Sequence, residues 1–88
     1  MARLIKADGT ISNIEIPKKD SLNFLQGIVG GYIELAPYGG SEGFAGVCCD
    51  EEGKMKNQPI NRVATESAGY THDVLVGDII LFNKGEID

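Results

Sequence analysis

The stretch LQGIVGGYIE, residues 25–34, joins the end of an apolar-faced helix to the start of a strand. The apolar side chains that precede and enter it share one stripe at helical spacing: Leu22, Leu25, Ile28 and Val29. We expect the helix to begin at Asp20 or Ser21, either of which can cap an N-terminus, and to run through Val29. Gly30 then suits the left-handed conformation that ends a helix. A strand over residues 32–36 follows.

Before this helix, the dipeptide Asp8-Gly9 separates two apolar segments. Asp-Gly in that position is a strong hairpin signal, because a type I′ turn needs positive φ at both central residues. We therefore predict strands over residues 2–7 and 10–16, with Pro17 ending the second.

After the central stretch, a loop rich in Gly, Pro and Ser over residues 37–43 leads to a predicted strand over residues 44–50. A turn at residues 51–53 follows, and we place Lys54 and Met55 at the start of a returning strand.

The last third of the chain is expected to hold one helix and one strand. Asn61 can cap a short helix that extends to about Ala68 and stops at Gly69. A strand over residues 74–82 comes next, interrupted at Gly77-Asp78. Its last four residues are apolar on both faces, which predicts a central strand or one covered by a helix. Residues 83–88 are predicted to be a frayed polar tail.

This order, β-β-α-β-β-α-β, predicts an α+β fold in a single small domain over residues 1–88. One curved, mostly antiparallel sheet would carry two short helices. Because 88 residues bury only a thin core, we also expect a homodimer or a higher homo-oligomer. Residues 79–82 would offer it a sheet edge or an apolar face.

The chain is acidic, with a formal net charge of −5. Acidic domains repel phosphate backbones, so we expect no direct nucleic-acid binding. The acids are scattered apart from one run at residues 50–52, which favours a role in solubility over mimicry of phosphates by carboxylates. The adjacent Cys48 and Cys49 do not suit a mutual disulfide or a zinc site. We expect no metal, no cofactor, no membrane segment and a cytoplasmic protein.

Candidate ligand-binding residues cluster in the second half of the chain. Arg62 and Thr65 lie three residues apart on one helical face, and an arginine near amide side chains can bind a small anion. The ordinary alternative is that the asparagines shape a loop and Arg62 pairs with a surface acid. Aromatic residues could provide stacking, or could serve the core. The candidate set is Asn57, Asn61, Arg62, Thr65, Tyr32 and Tyr38.

His72 and Asp73, with Cys49 or Ser67, contain the residue types of a nucleophile, a base and an orienting acid. No nucleophile elbow surrounds them, and neighbours in sequence need not meet in space. We therefore predict no catalytic residue, and interpret His72 as a surface side chain.

Three blocks resemble a small domain-of-unknown-function family that is common in phage and mobile-element genomes. They are VGGYIE at residues 29–34, EEGK followed by NxPxNRxAT within residues 51–65, and VGDIIL at residues 76–81. The resemblance implies a phage or prophage origin and a life inside an infected bacterium. It implies little about activity. The glycine-rich loop and the Cys48-Cys49 pair depart from the family's pattern.

Three functional hypotheses follow from these observations. The first is a non-enzymatic phage-type binding protein that counters host defence by sequestering a small nucleotide-like signal. Arg62 would contact phosphate, Asn57 and Asn61 would read polar edges, and Tyr32 or Tyr38 would stack. The second is an acidic inhibitor, of the anti-CRISPR or anti-restriction kind, that binds a host defence nuclease through five carboxylates: Glu34, Glu42, Asp50, Glu51 and Glu52. The third is a hydrolase of signalling nucleotides.

Overall fold

The computed structural model describes residues 1–87, and its elements follow the predicted order. The α+β fold is confirmed. The elements are β1 Ala2–Ile5, β2 Ile11–Ile14, α1 Ser21–Val29, β3 Ile33–Pro37, β4 Gly46–Asp50, α2 Arg62–Ser67 and β5 Ile79–Phe82.

The strands form one sheet in the order β2-β1-β5-β4-β3, and each neighbouring pair is antiparallel. The apolar last strand is therefore central, as its sequence predicted. The side chains of Ile79, Ile80 and Leu81 are fully buried. The suggestion that residues 79–82 could serve as a sheet edge is wrong, because both sides of β5 are already paired. The edges of the sheet are β2 and β3.

The two helices cover opposite faces of this sheet. Side chains alternate across a strand, so Ile80 packs with Leu25 and Val29 of α1. Its neighbours on β5 point the other way, toward Ala64 and Ala68 at α2. Two apolar layers result, one on each face, which explains why β5 is apolar on both sides.

The hairpin between β1 and β2 differs from the predicted type I′ turn. Gly9 has a φ of 94°, but Asp8 does not have positive φ. The N–H of Gly9 donates to the Lys6 oxygen at 2.8 Å, and the N–H of Lys6 donates to the Thr10 oxygen at 2.9 Å. This is a three-residue loop whose last residue is left-handed, the next commonest hairpin connection. The two strands, of four residues each, are also shorter than predicted.

Both predicted ends of α1 are confirmed in position. Gly30 has a φ of 89°, and its N–H donates to the Gln26 oxygen at 2.9 Å. At the other end, Asp20 occupies the N-cap with a φ of 61°, but its side chain caps no helical N–H. The carboxylate instead accepts a hydrogen bond from Asn23 Nδ2.

The returning strand expected at Lys54 and Met55 is absent, since residues 51–57 form continuous turns. The N–H of Lys56 donates to the Glu52 oxygen at 3.0 Å, and the N–H of Gln58 donates to the Gly53 oxygen at 3.1 Å. Because backbone groups of this segment bond to one another locally, the segment does not pair with a neighbouring strand. The last strand also begins later than predicted, and before it only Val76 forms an isolated bridge, with Ile60.

Candidate functional site

A groove of about 640 Å³ lies on the face of the sheet that α2 covers. Because α2 has only six residues, it leaves the β3 and β4 end of this face open. Its lining comes from three segments, which lie within residues 34–39, 49–55 and 68–76.

Hydrogen bonds between two of these segments fix one wall of the groove. The N–H of Gly39 donates to the Ala68 oxygen at 2.8 Å. The hydroxyl of Tyr70 donates to the Pro37 oxygen at the same distance. The chain after α2 is thus attached to the end of β3, and the wall is part of the fold.

The floor of the groove is mainly apolar. Ala36 on the sheet, Ala68 at the helix end and Leu75 in the following loop line it, and the last two are buried. Tyr38 adds an aromatic side chain whose ring meets the Phe44 ring edge-on, with centroids 5.5 Å apart. Its hydroxyl accepts a hydrogen bond from the Glu42 N–H at 3.0 Å. The floor is therefore held in place before any ligand arrives.

The charged side chains of the groove are mostly acidic. Lys54 forms an ion pair with Asp73, so these two charges compensate each other. In the part of the chain that the structure describes, Glu34 and Glu51 have no such partner. The groove thus presents two carboxylates that are free to accept hydrogen bonds or a positive charge.

Asp50 also lines the groove but is occupied by the protein itself. Its side chain is 1% exposed and accepts from Lys56 Nζ at 2.9 Å and Gln58 Nε2 at 3.0 Å. Burial alone would raise the pKa of this carboxyl, but the Lys56 hydrogen bond and the Glu52 N–H outweigh it, and the pKa is lowered. Asp50 is therefore an ionised structural group.

Cys49 is half-buried in the groove and remains a protonated thiol at neutral pH. Burial, followed by the charges of Glu34 and Asp50, raises its pKa to about 11. Its Sγ lies 3.6 Å from the Glu34 backbone oxygen, to which it donates. A nucleophilic cysteine needs the opposite environment, one that lowers the thiol pKa.

His72 and Asp73 line the same groove, as the nucleophile hypothesis requires. Asp73, however, accepts from Lys54 Nζ and from the Val74 N–H. The Lys54 hydrogen bond is the main cause that lowers the pKa of Asp73. Over residues 1–87, no hydrogen bond links His72 to this carboxylate, and no group of His, Cys, Asp or Glu could hold a metal ion.

Two of the predicted ligand-binding residues are buried structural groups. Asn61 is fully buried, donates to the Ile5 and Gly77 oxygens at 2.8 and 2.9 Å, and accepts from the Ala64 N–H. Its predicted role as the cap of α2 is confirmed. Thr65 donates to the Asn61 oxygen and accepts from the Leu75 N–H. The polar side-chain atoms of both residues are therefore already bonded within the protein, and their role in ligand binding stays a prediction.

The remaining candidates divide between the groove and other surfaces. Tyr38 lines the groove. Arg62, Asn57 and Tyr32 are exposed but do not line it. The polar set expected to converge on a phosphate is therefore not brought together.

Sequence reasoning missed Glu34 and Glu51 as groove residues, although it placed both among the carboxylates of an acidic inhibitor. A signal for Glu34 was available in the strand pattern. Alternation along β3 places Glu34 and Ala36 on one face, and Tyr38, the residue after the strand, lines the same groove. The walls could not be anticipated, since they depend on contacts between residues about 30 positions apart.

Across residues 1–87, no helix is both long enough and apolar enough to span a bilayer. Among curated proteins and among solved structures, no significant match to the chain was found. A comparison with protein families matches residues 1–87 to one described as a domain of unknown function, DUF3846. Because this match covers nearly the whole chain, the protein belongs to the DUF3846 family.

Proposed function

We propose that this protein is a non-enzymatic binding protein that inhibits a basic protein partner, and that the groove is its binding site. The observation that carries this proposal is the combination of an apolar floor with the carboxylates of Glu34 and Glu51, neither of which forms an ion pair within the described residues. Apolar surface supplies affinity, and carboxylates favour a positively charged partner. The acidic inhibitor hypothesis thus gains more support from the geometry than the other two.

The partner class that fits is a protein with a basic surface, such as the nucleic-acid-binding channel of a host defence nuclease. A net charge of −5 would speed the encounter with such a surface. The phage origin and the cytoplasmic location inferred from the sequence resemblance are part of this proposal.

Sequestration of a small nucleotide-like signal is the second candidate. The volume of about 640 Å³ lies within the range typical of small-molecule sites, and Tyr38 could contact a base. The groove is poorly suited to bind phosphate, because Lys54 is paired with Asp73 and Arg62 lies outside the groove. Heat on titration with ADP-ribose or a cyclic dinucleotide would favour this candidate.

Hydrolysis of signalling nucleotides ranks third. It depends on Cys49, whose pKa of about 11 leaves it protonated, and on His72, to which Asp73 makes no hydrogen bond in the described residues. Hydrolysis of a signalling nucleotide by the original protein, and its loss in a His72→Ala variant, would support this third hypothesis.

A groove-filling substitution tests the proposed function. Thr71 is exposed and lines the groove, so Thr71→Trp adds bulk there with little effect on the core. Thr10→Trp makes the same change in the β1–β2 loop, outside the groove. Phage growth is measured in bacteria that carry one defence nuclease each and express one of the three proteins.

We expect the original protein and Thr10→Trp to relieve restriction by at least one nuclease, and Thr71→Trp to fail. Relief that survives Thr71→Trp would move the binding site away from the groove. No relief against any of the nucleases by the original protein would contradict the inhibitor function.

A further inference from the structure

The arrangement of side chains along β3 gives the groove a direction. Glu34 and Ala36 of β3 lie two residues apart on the face that lines it, and Tyr38, the first residue after the strand, lines it as well. Successive residues on one face of a strand are about 7 Å apart, since the rise per residue is roughly 3.3 Å. The groove therefore presents an acidic, an aliphatic and an aromatic position in a row.

The charge at the acidic end is not neutralised within the described part of the chain. Lys54 is paired with Asp73, and Lys56 with Asp50. Glu34 and Glu51 remain, and both are exposed. An anionic group would meet two like charges here, whereas a cation would complete the pairing.

The row and the charge together point to a segment of extended chain. In such a segment, alternate side chains face the same way and have the same spacing as those of β3. A small rigid ligand would match one of the three positions, while an extended segment can match all three. β3 is also an edge strand of the sheet, so within residues 1–87 it is paired with a strand on one side only.

We propose that the groove binds an extended basic segment of a protein partner, with the pattern Arg or Lys, any residue, then an apolar residue. The cation lies against Glu34 and Glu51, and the apolar side chain lies on the floor at Ala36. A further aromatic or aliphatic residue two positions on meets Tyr38. This inference rests on the proposed function and specifies the chemistry of the partner.

Nuclear magnetic resonance titration of the whole protein tests the inference, because it reports both affinity and location. The probe is acetyl-Gly-Arg-Ser-Leu-Ser-Phe-Gly-amide. Two comparison peptides carry Gln or Glu in place of Arg. We expect the Arg peptide to shift groove resonances and to bind roughly tenfold more tightly than the Gln peptide, as two modest charge pairs would give. The Glu peptide should bind more weakly still.

A matched pair of variants separates local from overall charge. Glu34→Gln with Glu51→Gln should reduce the affinity for the Arg peptide to that for the Gln peptide. Glu15→Gln with Glu66→Gln removes the same charge from exposed residues outside the groove, and should change the affinity less than twofold.

Each other outcome overturns the inference in a distinguishable way. Equal binding of the Arg and Gln peptides in the groove would show that the groove binds a segment but does not recognise its positive charge. Binding that both double variants weaken equally would show attraction to the acidic protein as a whole. Groove shifts with ADP-ribose and none with the Arg peptide would favour the nucleotide candidate instead. If no peptide shifts the resonances of groove residues, the groove does not bind an extended basic segment. The Thr71→Trp experiment would then test the proposed function separately.

Discussion

Asn61 connects three parts of the chain that are far apart in sequence. Its amide nitrogen bridges the oxygens of Ile5 on β1 and Gly77 before β5, and its amide oxygen caps α2. Each polar atom of the side chain is thus bonded to backbone that is remote from water. The side chain of Asn61 therefore links the sheet to the second helix by hydrogen bonds.

Replacing Asn61 should therefore unfold the protein readily. In Asn61→Ala the Ile5 and Gly77 oxygens and the Ala64 N–H lose their partners, which should lower the free energy of unfolding by about 3–5 kcal/mol. Asn13→Ala, an exposed position on edge strand β2, should change it by less than about 0.5 kcal/mol. Urea unfolding followed by circular dichroism measures both. Equal effects of the two substitutions would contradict the role of Asn61.

Asp50 should make stability depend on pH in the acidic range. Its pKa is lower in the folded protein than in the unfolded chain, because the donors around the carboxylate outweigh its burial. The resulting stabilisation is complete above the unfolded pKa of about 3.9, and is lost as the pH falls through the folded value.

Asp50→Asn should consequently cost about 1–3 kcal/mol at pH 6 and progressively less below pH 4. Urea midpoints of both proteins at pH 6, 4 and 3 give the comparison. Glu15→Gln, at an exposed position, serves as the control. A difference between Asp50→Asn and the original protein that stays constant with pH would show that this carboxylate is not the titrating group.

At the scale of elements, the end of α1 is attached to the turn segment over residues 51–57. Lys56 Nζ lies 2.9 Å from Asp50 Oδ2 and 3.2 Å from the Gly30 oxygen, at the negative end of the helix dipole. A Cβ on Gly31 would come within 2.6 Å of Lys56 Nζ and 2.9 Å of Asp50 Oδ1. Two of the three sequence blocks therefore meet at this junction.

Two glycine substitutions test this junction with opposite expected signs. Gly27 lies inside α1, where an added Cβ meets nothing within 4 Å. Gly27→Ala should raise the free energy of unfolding by about 0.5–1 kcal/mol, because alanine is the better helix former. Gly31→Ala should lower it by about 1–3 kcal/mol, because the new Cβ displaces the ion pair. Thermal unfolding of the two variants measures both, and stabilisation by Gly31→Ala would contradict the close approach.

The sequence predicted those elements that local chemistry determines. Gly30 ends α1, Asn61 caps α2, and the two-sided apolar pattern of residues 79–82 identified the central strand. It failed where the chain satisfies its backbone by local turns, as at Lys54 and Met55. It also did not anticipate the hydrogen bond from Asn61 to the Ile5 oxygen, because these two residues are 56 positions apart.

For the whole molecule, the sequence prediction of a homodimer or a higher oligomer stays a prediction, now placed at the edges of the sheet. β2 is mostly exposed, with Ile11 52% accessible, and β3 exposes Leu35 to the same extent. Pairing of either edge with a second copy would extend the sheet and bury these side chains. Sedimentation equilibrium at micromolar concentration should show at least twice the mass of 9.4 kDa. A single species of 9.4 kDa would refute the expectation.

The adjacent cysteines carry a practical consequence of the two-faced sheet. Cys48 is fully buried in the layer beneath α1, whereas its neighbour Cys49 opens into the groove. An alkylating reagent applied at raised pH should therefore label one thiol in the folded protein and two in the unfolded chain. An occupied groove should leave both unlabelled. Intact-mass measurement of zero, one or two adducts would thus distinguish bound, free and unfolded molecules in one sample, without an added probe.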